Sequence, residues 1–195
     1  MSVPLYGLVL AGGASTRMQR DKAALDYHGR PQLEWTFDLL SEVCERVFVS
    51  VRQEQAEDAV RSRFPQIVDR LRDKGPIAGI AAAQAELPEV AWLVVACDLP
   101  FLSRATLDHL VAQRDRSRYA TAYRSAHDGL PEPLCAIYEP VSRLAIDEYV
   151  AAGKHCPRKF LGQADVRLLD QPDPRSLDNV NTVEEHHAAT RILGA

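Results

Sequence analysis

Four groups of residues in this 195-residue chain have types and spacings suited to chemistry on a phosphate. The first runs from Leu10-Ala11-Gly12-Gly13 through Arg17 to Asp21-Lys22 and follows an apolar run, Leu5 to Leu10. Gly12 and Gly13 lack the Cβ that holds a ligand off the backbone, and such a loop turns several N–H groups inward, as a polyphosphate requires. Arg17 and Lys22 add full positive charges that backbone dipoles cannot supply. This reads as a triphosphate cradle at the carboxyl end of a first strand. The second group is Cys97-Asp98-Leu99-Pro100, after the apolar run Trp92 to Ala96. A carboxylate at a strand tip can hold Mg²⁺ together with nucleotide oxygens and waters, since that ion commonly takes one or two protein carboxylates. The third is Asn179-Val180-Asn181, whose alternation puts both amides on one face with Val180 facing away. Neutral amides there would orient a phosphate or a metal-bound water. Turn and cap roles are the competing account of Asp98 and of the two asparagines. The fourth is Gly75-Pro76-Ile77-Ala78-Gly79, which opens an Ala-rich run to Glu86 whose small-residue face can approach a ligand or the sheet closely.

Two other glycine loops are excluded by spacing. The Walker loop needs G-x-x-x-x-G-K followed by Ser or Thr, which is absent here. The dinucleotide fingerprint needs G-x-G-x-x-G and an acidic residue at the end of the next strand, where this chain has Arg52. A plain tight turn between strand and helix remains the structural alternative.

The stretch Leu10-Ala11-Gly12-Gly13-Ala14-Ser15-Thr16-Arg17-Met18-Gln19-Arg20-Asp21-Lys22 resembles the signature loop of the MobA-like nucleotidyltransferases, the family of the molybdenum cofactor guanylyltransferases. Gly75-Pro76-Ile77-Ala78-Gly79, Cys97-Asp98-Leu99-Pro100 and Asn179-Val180-Asn181-Thr182 resemble its further motifs, in the family's order and separation. Two positions depart: Gln19 stands where the family usually has Gly, and Arg52 where it usually has Asn near the base. The resemblance implies that Leu10, Ala11, Gly12, Gly13, Arg17, Lys22, Arg52, Asp69, Gly75, Pro76 and Asp98 bind nucleotide. It places Asn179 and Asn181 toward the acceptor phosphate, and Mg²⁺ on Asp98. It also implies GTP and molybdopterin as substrates, and transient contact with other proteins of molybdenum cofactor assembly. Relatives with the same loop cytidylylate that cofactor or activate sugar phosphates.

Composition fits a soluble α/β protein: 46% apolar and 26% charged residues, with a net charge of −4. That charge leaves no global field for nucleic acid or an anionic membrane. The four cysteines, Cys44, Cys97, Cys135 and Cys156, are widely spaced, so neither a zinc site nor a disulfide framework is indicated. The N-terminal residues lack a basic export region, and no apolar run approaches membrane-spanning length, so a cytoplasmic location is expected.

These groups need a scaffold. Leu5 to Leu10, Val47 to Val51, Ile67-Val68, Trp92 to Ala96 and Val166 to Leu169 read as strands, several without the alternation of a half-exposed sheet. Helices are expected from Pro31 through Cys44, from about Gln55 to Arg63, through the Ala-rich run to Glu86, from Ser103 to about Arg114, and from about Val141 to Ala151. Thr182 and Glu185 have capping-box spacing before a last helix. Thr121 to Tyr123 and Pro133 to Tyr138 flank a turn at Asp128-Gly129, an antiparallel excursion expected at the sheet edge. His28 and His155 sit in loops and are expected to be exposed, and Lys154, Arg158 and Lys159 form a basic run that could meet an anionic acceptor. The expected fold class is a three-layer α/β domain with a mostly parallel sheet. Residues 1–100 would serve mainly the nucleotide and 101–195 mainly the acceptor. Ligands of such sheets lie beyond the carboxyl ends of the strands, so Asp98 and the Gly12-Gly13 loop share one crevice if the first and fourth strands are neighbours.

The chemistry that follows is nucleotidyl transfer. An acceptor phosphate is already anionic near neutral pH and needs no general base, leaving in-line positioning and charge neutralisation by Asp98-bound Mg²⁺, Arg17 and Lys22. An NADP-dependent oxidoreductase with Arg52 on the 2′-phosphate, and a non-catalytic nucleotide-binding protein, are the readings from other classes.

Overall fold

Uninterrupted apolar runs become strands that are covered on both faces, and here they do. The computed structural model describes residues 3–12, 21–71 and 74–194. Its strands are β1 (Leu5–Leu10), β2 (Arg46–Val51), β3 (Gln66–Val68), β4 (Ala91–Ala96), β5 (Ala120–Arg124), β6 (Pro131–Tyr138) and β7 (Val166–Leu169). Among the described residues they form one seven-stranded sheet in the order β3-β2-β1-β4-β6-β5-β7. β4 is buried at all six of its residues and lies at the centre.

The helices are α1 (Gln32–Ser41), α2 (Pro76–Glu86), α3 (Arg104–Ala112), α4 (Arg143–Ala151), α5 (Pro157–Leu161) and α6 (Val183–Leu193). Leu33 and Leu40 of α1 pack with Leu107 and Leu110 of α3 on one face of the sheet. Ile77 and Ile80 of α2 pack with Ile146 of α4 and Phe160 of α5 on the other. This is the expected three-layer α/β arrangement. A smaller cluster joins Leu25, Tyr27 and Val180 to Ala189 of α6.

Register sets where the strands stop. β1 pairs in parallel with both β2 and β4, with Leu10 opposite Ser50 on one side and Ala96 on the other. The ladder extends one step further, because Ala11 N–H donates to the Ser50 carbonyl and Cys97 N–H to the Leu10 carbonyl. The tips of β1, β2 and β4 therefore end level. The chain moves outward from β1 to β2 and β3 on one side and to β4 on the other, which makes the β1–β4 tip the topological switch point of the sheet.

Some expectations change. Residues 55–63 form no continuous helix; they contain the end of one 3-10 turn, Gln53–Gln55, and a second, Arg61–Arg63. Asp58 caps the second turn by accepting from the N–H groups of Val60 and Arg61, and Arg61 is drawn into the interior. Pro31 precedes α1 as its cap instead of occupying its first turn, and a 3-10 turn, Pro140–Ser142, comes before α4. The β5–β6 pair is antiparallel as expected but does not lie at the edge: β6 pairs with both β4 and β5, and β7 adds to β5 outside it. The Ser103 cap and the Thr182–Glu185 capping box are both present.

Candidate active site at the strand tips

Three of the expected residues meet at the switch point. The Lys22 ammonium donates to Asp98 Oδ2 at 2.8 Å and to Asn181 Oδ1 at 2.7 Å. Each has its own support. Asp98 leaves the end of the buried strand β4, and its backbone carbonyl accepts from Val180 N–H at 3.1 Å. Val180 is buried against Leu25 and Tyr27, which turns Asn181 outward beside Lys22. The Glu185 carboxylate accepts from the Asn181 and Thr182 N–H groups, tying this segment to the start of α6. Lys22 begins a 3-10 turn, Lys22–Ala24, capped by the Asp21 side chain, which accepts from Ala23 N–H.

A second part lies toward β2. A Cβ on Gly12 would stand 3.4 Å from Asp69 Oδ2 and 3.6 Å from Arg52 Cγ, so the glycine stretch begins beside both residues. Asp69 Oδ1 accepts from the Ser50 hydroxyl at 2.7 Å. Burial raises the Asp69 carboxyl above the ordinary carboxylate range, and the Ser50 bond and the nearby Arg52 charge only partly offset it. Arg52 pairs with Glu54 at 3.2 Å. Gly75, at φ 66°, and Pro76 begin α2, and Gly79 presses on the tips of β1 and β2, where a Cβ would meet Leu10 Cδ2 at 2.9 Å. Leu10 and Ala11 close the strand end, and Gly13 and Arg17 lie outside the described residues.

On the other side of Asp98 a cavity of about 300 Å³ opens between the ends of β4 and β6. Asp98, Asn179, Asp128, Glu132, Arg158 and His127 line it. Arg158 is held by Asp128 at 2.9 Å and Glu132 at 2.8 Å, so within the basic run it faces this space. Lys154 lies over the Tyr149 ring instead, 5.4 Å from its centre. The expected sharing of one face by Asn179 and Asn181 resolves into two tasks: Asn179 faces the cavity and Asn181 faces Lys22.

The chemistry of the donors is restricted. Among the described residues no three His, Cys, Asp or Glu side chains group to cage a metal. One partly exposed carboxylate at the mouth of a cavity fits a hydrated divalent cation that arrives on a nucleotide, and does not fit a closed structural site. The Cys97 thiol is pushed up to about 12 by burial and then by the Asp98 charge, so it stays protonated and is no nucleophile.

Both loop histidines depart from expectation. His28 is half-buried: its Nε2 bonds the Pro100 carbonyl at 3.1 Å, and its ring stacks on Trp35 at 4.1 Å. His155 is half-buried as well and accepts from the Lys74 ammonium at 3.0 Å. One residue was not foreseen at all. Arg61, 2% exposed, donates to the Ala11 carbonyl and to both carboxylate oxygens of Asp21. Its setting in Arg61-Ser62-Arg63 gives no local sign of burial.

Known proteins resemble this chain in sequence and in fold. The family model described as MobA-like NTP transferase domain matches residues 7–169. A molybdenum cofactor biosynthesis bifunctional protein of Synechocystis is 39% identical over 183 residues; the match covers 94% of this chain and 53% of that protein, so the chain spans about half its length. A probable molybdenum cofactor guanylyltransferase of Trichormus variabilis is 32% identical, with 93% of this chain and 88% of that protein covered. In shape, the crystal structure of molybdopterin-guanine dinucleotide biosynthesis protein A from Archaeoglobus fulgidus superposes with a TM-score of 0.79 at 24% identity, covering 97% of this chain and 98% of that one. Among the described residues no helix is long and apolar enough to cross a membrane.

Proposed function

Because this chain belongs to the MobA-like NTP transferase domain family, a family of nucleotidyltransferases, we propose that it moves GMP from GTP onto the phosphate of molybdopterin in molybdenum cofactor biosynthesis. A phosphate oxygen of the acceptor attacks the α-phosphorus, the bond to the β-phosphate breaks, and pyrophosphate leaves. The observation that carries this reading is the meeting of Lys22, Asp98 and Asn181 at the switch point, across separations of 76 and 159 residues. Nothing in a plain turn or cap requires it.

The two sides of Asp98 divide the work. Gly12, Arg52, Asp69, Gly75 and Pro76 surround the nucleotide on the β2 side, and the cavity lined by Asn179 and Arg158 takes the acceptor, within one domain. In the protein as described, Lys22 and Asp98 neutralise each other at 2.8 Å. On nucleotide binding Lys22 exchanges its carboxylate partner for phosphate oxygens and, with Arg17, meets the charge that develops on the departing pyrophosphate. Asp98 would hold Mg²⁺, which supplies charge neutralisation between the carboxylate and the triphosphate oxygens. Asn181 keeps the ammonium aimed at the site throughout. We place this reaction in the cytoplasm.

The test is turnover with each of the four NTPs, Mg²⁺ and molybdopterin, reading pyrophosphate with and without acceptor. GTP-dependent release that requires molybdopterin is expected. Preference for CTP, or release only with a sugar phosphate, would replace the guanylyl assignment within the same family.

A further inference from the structure

We infer that Arg61 is the positioning residue of the nucleotide site: one buried guanidinium fixes both Ala11, where the glycine stretch begins, and Asp21, where it ends. The inference rests on the nucleotidyl-transfer reading above. Nε and Nη2 donate to the Ala11 carbonyl at 3.1 and 2.9 Å. Nη1 and Nη2 donate to Asp21 Oδ2 and Oδ1 at 2.5 and 2.8 Å. Asp58 adds a third contact, at 3.3 Å from Nη1, while its Oδ1 also accepts from the Arg61 N–H at 3.0 Å. Ala11 and Asp21, ten residues apart in the chain, are thus held by the same side chain.

The arrangement is expensive for what it does to the core alone. Taking a guanidinium out of water costs several kcal/mol, and well-packed apolar residues usually stabilise an interior at least as well as a buried ion pair. A planar fork is suited to something else: holding a carboxylate bidentately in one orientation. That orientation is passed on. Asp21 Oδ1 also accepts from Ala23 N–H and caps the turn that carries Lys22, whose ammonium reaches Asp98 and Asn181. On the other anchor, Ala11 N–H is bonded to Ser50 and the next residue, Gly12, lies against Asp69. Arg61 therefore aligns the two ends of the phosphate-binding stretch and, through Asp21, the lysine. It does not line the cavity beyond Asp98. Its loss should weaken the nucleotide and leave the acceptor untouched.

The experiment compares wild type, Arg61→Lys, Arg61→Gln and Asp21→Asn by calorimetric titration with Mg–GTP and by the KM of molybdopterin. Arg61→Lys keeps the charge but not the fork; it should retain the wild-type circular dichroism and bind GTP about tenfold more weakly, with the molybdopterin KM unchanged. Arg61→Gln should lose about 100-fold, and adding Asp21→Asn to it should cost little more, since both act through one contact. Unaltered GTP affinity in a folded Arg61→Lys, or equal losses for both substrates, overturns the inference. Should neither Arg61 variant fold, Asp21→Asn, which breaks the fork from its more exposed side, decides by the same titration. Wild type that binds Mg–GTP yet transfers nothing would defeat the transferase reading while the titrations still judge Arg61.

Discussion

Lys22 bridges a carboxylate at 2.8 Å and an amide oxygen at 2.7 Å, and the two partners do different things for it. Asp98 sets its charge balance, and Asn181 sets its direction. Asp98→Asn keeps the shape and an acceptor oxygen for Lys22 but removes the anion that a divalent cation needs. Magnesium-dependent turnover should fall by about 100-fold or more, with the melting temperature nearly unchanged. Turnover that survives the substitution would sink the assignment of Asp98. Asp69 offers a second test, in which stability and function move in opposite directions. Its folded-state pKa is raised, chiefly by burial, so between the ordinary carboxylate value and the raised one the native protein holds a proton that the unfolded chain has lost. Stability attributable to Asp69 is therefore lost as pH rises through that window. Asp69→Asn should melt higher than wild type at neutral pH, and the difference should disappear as pH falls below the ordinary carboxylate range, while Mg–GTP affinity drops. Thermal melts across pH together with a titration check both halves. At this scale the meeting of Lys22 with Asp98 was legible in the sequence, because glycines, an early lysine and a strand-tip aspartate are unusual together. Arg61 and His28 were not. What makes them matter is the distant Ala11 and Pro100 carbonyls, which local sequence does not reveal.

The elements hold these side chains by how closely they approach one another. Helix α2 comes against the tips of β1 and β2 so tightly that a Cβ at Gly79 would stand 2.3 Å from Ser50 Oγ and 2.9 Å from Leu10 Cδ2. Gly→Ala inside a helix normally adds about 0.5–1 kcal/mol of stability. Here the sign should reverse. Gly79→Ala must push the Ser50 hydroxyl off Asp69 and move Leu10, an overpacking cost of about 1–3 kcal/mol. A lower denaturant midpoint with an unchanged slope, accompanied by weaker GTP binding, is the expected result; a more stable variant would show that α2 can shift without consequence. The element-level reading from sequence succeeded where local chemistry decides. The apolar runs of β1, β2 and β4 and the Thr182–Glu185 cap are set by neighbours a few residues away. It failed between residues 55 and 63, where a polar, charged helix was expected but the Asp58 turn and the inward pull on Arg61 prevail. It also left β6 at an edge, because strand order depends on pairing partners such as Trp92 with Tyr138, which lie far apart in the chain.

Across the whole molecule, the parallel half β3-β2-β1-β4 and the added β6-β5-β7 meet at Asp98, one half presenting the glycine stretch and the other the cavity. A ligand that spans this junction should stabilise the entire fold, because β1 and β4 are neighbours along six paired positions and anchor both faces of the core. Binding to the native state alone adds about 2.7 kcal/mol at a ligand concentration 100 times Kd. For a chain of this length each kcal/mol moves the melting temperature by roughly 2–4 °C, so saturating Mg–GTP should raise it by roughly 5–10 °C. The dependence on the cation is the informative part. With the metal chelated, the triphosphate must approach Asp98 with its charge unneutralised, and most of the shift should be lost; in Asp98→Asn the shift should be small with or without Mg²⁺. NADPH, which has no matching glycine fingerprint here, should give none. A full shift with GTP in excess chelator would mean that nucleotide binds without engaging Asp98, and the proposal that one metal–triphosphate complex joins the two halves of the sheet would fall.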